Sequence, residues 1–79
     1  MRIDKFLKVA RLLKRRSVAN EAASGGRIKI NGRTVKPSHE VKPGDVVEIG
    51  FSSGTVTVRV NEIKETVKKE EAQNLYTIL

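Results

Sequence analysis

Seventy-nine residues make one domain, with no room for a second core. The absence of cysteine excludes a disulfide framework and a thiolate metal site, and no uncharged run approaches the ~20 apolar residues of a membrane span. The net charge of +7 is placed unevenly: residues 1–36 carry eleven Lys/Arg against two Asp/Glu, net +9, whereas residues 37–79 carry five against seven, net −2. A local excess marks a site for a polyanion, where an even spread would mainly aid solubility.

The N-terminus is charged and amphipathic without an apolar signal core, so structure is expected there rather than a targeting segment, and the cytoplasm is the expected compartment. Ile3, Phe6, Leu7, Ala10 and Leu13 recur at the spacing of a helix face. Arg2, Lys5, Lys8 and Arg11 step around the opposite side. The pattern predicts a helix over roughly 3–12, with Asp4 at its start to accept free amide hydrogens and favour the positive end of the dipole. Lys14-Arg15-Arg16 breaks the pattern. Ser17 then reads as the N-cap of a second helix, roughly 17–24, whose Val18, Ala19, Ala22 and Ala23 allow close packing on the first. Gly25-Gly26 ends it by reaching the left-handed conformation of a C-cap. The three consecutive cations therefore sit at the corner between the helices, beside amide hydrogens that also favour anions.

Arg27-Ile28-Lys29-Ile30 alternates like a half-buried strand, and Asn31-Gly32 is a strong hairpin signal. Val35 continues the return strand and Pro37 ends it. Pro43-Gly44 is a turn, Val46–Ile49 the next strand, and Phe51–Gly54 a flexible connection. Thr55–Val60, with Ile63, reads as the longest strand. Residues 68–74 are expected to form a short helix, followed by an apolar end packed on the body or a partner. The fold class is thus α+β: two N-terminal helices on a small antiparallel sheet, as a domain over residues 1–63, with a C-terminal helical tail over 64–79.

Seven cations and one acid precede Ser17, a bias that an ordinary solvated helix face, which mixes both signs, does not show. Arginines are the better phosphate ligands because the guanidinium fork binds bidentately. Arg2 and Arg16 rank first, then Arg11 and Arg15, with Lys5, Lys8 and Lys14 as point charges. Of a second basic group, Arg27, Lys29, Arg33 and Lys36, Arg27 lies nearest the helices and ranks highest. Asp4 and Ser17 are supporting residues. His39 has no cluster of ligands at metal spacing, and the serines lack a paired base, so no catalytic residue, metal or cofactor is expected. With only Phe6, Phe51 and Tyr76 as aromatics, structured RNA read by shape and phosphates fits better than a stacked single strand. Tyr76 is expected to anchor the tail on the domain.

The run Met1-Arg-Ile-Asp-Lys-Phe-Leu7, with Arg11, Arg16-Ser17, Ala22, Gly26-Arg-Ile28, Ile30-Asn-Gly32, Val35-Lys-Pro37, Val41 and Gly44-Asp45, resembles the alpha-L RNA-binding domain, named after the fourth protein of the small ribosomal subunit. The tail from Thr66 to Leu79 resembles the short ribosome-associated quality-control P-site factors, relatives of the ribosome-associated heat-shock protein of fifteen kilodaltons, whose long basic C-terminal extension is not seen here. That resemblance implies a non-enzymatic factor that binds stalled large ribosomal subunits through ribosomal RNA and peptidyl-tRNA. It implies a partner tailing factor that recruits alanyl-tRNA so that alanine is added without mRNA. It places Arg2, Lys5, Arg11, Arg15 and Arg16 on the RNA surface and Asp4 behind one of the arginines. No membrane partner and a monomeric free state are expected. The competing reading is a permanent ribosomal or adaptor protein with a structural role.

Overall fold

Two helices, α1 (Ile3–Val9) and α2 (Arg16–Ser24), cover one face of a five-stranded antiparallel sheet in the computed structural model, which describes residues 1–79. The strands are β1 (Ile28–Ile30), β2 (Arg33–Thr34), β3 (Val46–Phe51), β4 (Gly54–Val60) and β5 (Tyr76–Ile78), ordered β2-β1-β3-β4-β5. A 3-10 helix, Lys69–Leu75, leads into β5.

Strand alternation decides which residues enter the core. Ile28 lies opposite Ile49, Ile30 opposite Val47, and Val47 opposite Val58, all buried; Lys29, Glu48 and Thr57 share the other face. Ile3, Phe6 and Leu7 of α1 close over the apolar face at zero exposure, each contributing about 1.5–3 kcal/mol by leaving water. Ala19, Ala22 and Ala23 bring α2 against the same cluster with little side-chain bulk. The Asn31-Gly32 hairpin forms as its sequence predicts, with φ of 52° and 83°.

The first helix is shorter than its apolar periodicity implies. It stops at Val9 because Arg11 adopts a left-handed backbone, φ 58°. The Arg11 amide then bonds the Lys8 carbonyl at 3.0 Å and the Leu12 amide bonds the Leu7 carbonyl at 3.0 Å. This paired closure is a Schellman motif, and Leu12 turns back toward the core. The second helix ends the same way, with Gly26 at φ 78° and the amides of Gly26 and Arg27 on the carbonyls of Ala23 and Ala22. Glycine at that position is common, whereas arginine hides the signal, so continuing the pattern to residue 12 overshoots. Leu13 therefore lies beyond the helix and is half-buried.

Three other expectations change. Ser17 is not the N-cap: Arg15 holds that position in extended backbone, and Ser17 is exposed in the first turn of α2. Phe51 and Gly54 are paired strand ends around a two-residue Ser52-Ser53 turn, so the connection is a tight hairpin. Ile63 lies past the end of β4, since the chain leaves the sheet at Asn61, whose amide turns to the Leu75 carbonyl at 2.8 Å. The tail packs on the body. Leu75 is fully buried, and β5 pairs with β4 through Val58–Ile78 and Val60–Tyr76. Asn61 fastens it further by bonding the Thr77 hydroxyl at 3.0 Å.

Left-handed backbone costs a non-glycine residue roughly 1–2 kcal/mol, partly offset by the greater unfolded-state entropy of glycine. Arg11→Gly is expected to stabilise the fold by about 0.5–1 kcal/mol, raising Tm by several degrees in a thermal melt. A lower Tm would contradict this account of the helix end.

Candidate nucleic-acid interface

The site is built around one carboxylate. Asp4 lies in the first turn of α1 facing α2, and is only 2% exposed. Its Oδ1 accepts the Lys5 amide at 2.8 Å, and the Ile3 and Asp4 amides bond the carbonyls of His39 and Pro37 at 2.8 and 3.3 Å. The start of α1 is thereby fully satisfied from within the protein. Arg2 binds both oxygens, Nε to Oδ1 at 3.2 Å and Nη2 to Oδ2 at 2.9 Å. From α2, Asn20 Nδ2 reaches Oδ2 at 3.3 Å and Arg16 Nη2 reaches Oδ1 at 3.5 Å. Burial by itself would push this carboxyl up. The hydrogen bonds from Asn20 and Arg2, and the charges of Arg16 and Arg2, outweigh that effect and hold it below the ordinary carboxylate value.

Asp4 thus joins α1 to α2 and aims two guanidinium groups. Both Arg2 and Arg16 side chains remain 48% exposed. Of the five N–H donors on a guanidinium, Arg2 uses two on Asp4 and Arg16 one. Both arginines line a shallow depression with Asp4, Ser17, Asn20 and Glu21. No side chain caps the N-terminus of α2, so its first amides lie beside Arg16 as further anion donors.

The other basic residues named from sequence divide into separate groups. Lys8, Arg11 and Lys14 line a second groove at the corner, together with Val9, Leu13 and the tail residues Glu65, Thr66 and Val67. Lys5 lines neither depression and is ion-paired with Glu65. Arg15 is exposed and lines neither. Arg27 sits past the far end of α2, whose Arg16–Ser24 span is about 12 Å at a helical rise of ~1.5 Å per residue, and is tied to the sheet where its carbonyl accepts the Gly50 amide at 2.8 Å. The structure does not bring Arg27 into the arginine pair. Sequence reasoning missed Asn20 and Glu65. Asn20 had a signal, since it lies four residues from Arg16 and so on the same face of α2. Glu65 had none, being sixty residues from its partner Lys5.

The S4 domain family matches residues 1–47. Across all 79 residues the chain is 61% identical to the RQC P-site tRNA stabilizing factor of Bacillus subtilis, covering 92% of that protein. It is 35% identical over 77 residues to a heat shock protein 15 homolog of Aeromonas salmonicida, covering 58% of its length. The trimeric heat shock protein 15 of Vibrio cholerae superposes over the whole chain with a TM-score of 0.93 at 32% identity, over 81% of that protein.

Because the Asp4 carboxyl is held below its unfolded value of about 3.9, its stabilisation is fully present above that pH. It is lost as pH falls from there through the folded value. Asp4→Asn should cost about 1–3 kcal/mol at neutral pH, the range for a charged hydrogen-bond acceptor, rather than more, because both arginines can rehydrate. The stability gap between wild type and variant, measured by urea unfolding, should narrow below about pH 4. A gap that stayed constant down to pH 2 would show that the carboxylate charge is not what matters.

Proposed function

The chain belongs to the S4 domain family, and on that premise we propose that it is a non-enzymatic RNA-binding factor of ribosome-associated quality control. In this reading it binds a stalled large ribosomal subunit, contacting ribosomal RNA and the peptidyl-tRNA in the P site. It holds that tRNA while a tailing factor brings alanyl-tRNA, so that alanine is added without mRNA. It acts in the cytoplasm and is a monomer when free.

The observation that carries the proposal is the Arg2–Asp4–Arg16 cluster, two guanidinium groups held by one buried carboxylate while each side chain stays about half exposed. Pre-aimed arginines bind phosphate with less ordering entropy than free side chains. Phosphate contacts position a protein on RNA, and shape supplies the selectivity. The name of the Bacillus subtilis relative supports the P-site tRNA assignment.

Stabilising a bound tRNA requires no chemistry. A factor that binds only the tRNA-occupied subunit shifts the equilibrium toward occupancy by about 2.7 kcal/mol when present at a hundred times its Kd. The protein must therefore prefer subunits carrying peptidyl-tRNA over empty ones.

In a binding assay on purified large subunits, those carrying peptidyl-tRNA should bind more tightly than empty ones. With about five phosphate contacts, log affinity should fall against log salt with a slope of roughly −4. Arg16→Ala should weaken binding about tenfold and make the slope shallower by about one, with the fold intact. A flat salt response, or equal binding to empty subunits, contradicts the proposal.

A further inference from the structure

The second groove has a lining that phosphate binding alone does not require. Lys8, Arg11 and Lys14 stand on the helix side, and the floor is apolar, formed by Val9, Leu13 and Val67. Thr66 and Glu65 close the far wall. The groove is about 470 Å³, within the roughly 300–1,000 Å³ typical of small-ligand sites. None of the three cations is engaged in an ion pair, whereas Glu65 is paired with Lys5 and its carboxyl lies below the ordinary value.

We propose that this groove takes one unpaired ribonucleotide of the bound RNA. The inference rests on the RNA-binding reading above and adds a subsite to it. The lining matches the parts of a nucleotide: cations for the phosphate, an apolar floor for one base face, and a carboxylate acceptor for donors on the sugar or base edge. A paired base cannot reach the floor, because both its faces are covered by stacking. The ribose 2′-hydroxyl is a donor that DNA lacks, and the ionised Glu65 with the Thr66 hydroxyl supplies acceptors for it.

Arg11 adds an independent observation. It is left-handed at φ 58°, in the one position of its helix-ending motif where glycine carries no steric penalty. Strained non-glycine backbone of this kind clusters at ligand sites. Here the strain places a guanidinium on the groove wall, at the point where the chain turns from α1 toward the corner.

The test uses a short RNA hairpin with a single bulged 2-aminopurine, its fully paired counterpart, and the bulged hairpin in DNA. Bulged RNA should bind roughly tenfold more tightly than paired RNA, the order expected from covering one base face with apolar surface. Bulged DNA should lose most of that gain. The floor contains no aromatic ring to quench the probe, so 2-aminopurine fluorescence should rise on binding. Leu13→Asn and Val67→Asn should abolish both the preference and the brightening, while affinity for paired RNA and its salt slope stay unchanged. Thermal melts check that these variants fold. If either does not, Arg11→Gly, which relieves the backbone strain, should still reduce the preference severalfold. Equal, salt-dependent binding of bulged and paired RNA without a fluorescence change would overturn the groove assignment and leave the RNA-binding reading standing. Salt-independent binding to every RNA would overturn that reading, and the groove with it.

Discussion

A buried carboxylate between two helices is a liability unless donors surround it. Asp4 meets that constraint with Arg2, Arg16, Asn20 and the Lys5 amide, and the helix pair is arranged around it. Desolvation acts to neutralise the group, and the surrounding donors and positive charges prevail. The same contacts that satisfy the carboxylate hold two guanidinium groups at the surface. Stability and the placement of the two arginines therefore share one atom group, and a change at Asp4 must be felt by both.

The rest of the fold supplies the rigidity that makes this arrangement useful. The sheet gives α1 an apolar platform through Ile28, Ile49, Val47 and Val58. Segment 37–41 receives the first amides of α1, so Asp4 cannot drift along the helix end. The tail, anchored by Leu75 and Asn61, reaches back to α1 through Glu65. Lys5 is thereby occupied within the protein, which separates the arginine pair from the corner cations. The basic stretch that looked continuous in sequence becomes two groups of cations in different surroundings: Arg2 and Arg16 among polar residues, and Lys8, Arg11 and Lys14 beside Val9, Leu13 and Val67.

Much of this was legible before the structure. The faces of both helices, the Asn31-Gly32 hairpin and the alternating strands follow from period and turn chemistry acting locally. The excess of cations over acids before Ser17 singles out the basic stretch in sequence, whereas the sharing of Asp4 by Arg2 and Arg16 is visible only in the fold. The misses have physical causes. Arg11 takes a conformation usually marked by glycine, so the end of α1 left no trace. Arg15 precedes Ser17 as the N-cap without offering a capping oxygen, so the better-known capping residue drew the boundary. Tyr76–Ile78 is too short to read as a strand alone and exists because β4 offers it an edge. Arg27 is separated from the corner by the length of α2, and the Lys5–Glu65 pair spans the chain, so only tertiary structure reveals either.

In the proposed RNA-binding role, Asp4 acts through the arginines it aims. A double-mutant cycle on RNA affinity tests this most directly, comparing Asp4→Asn, Arg16→Ala and the double variant at a pH and temperature where all three are folded. The double variant should lose less than the sum of the single losses, by at least about 0.5–1 kcal/mol, since each change removes part of the same interaction. Strict additivity, or an Asp4→Asn variant that binds as wild type does, would contradict it.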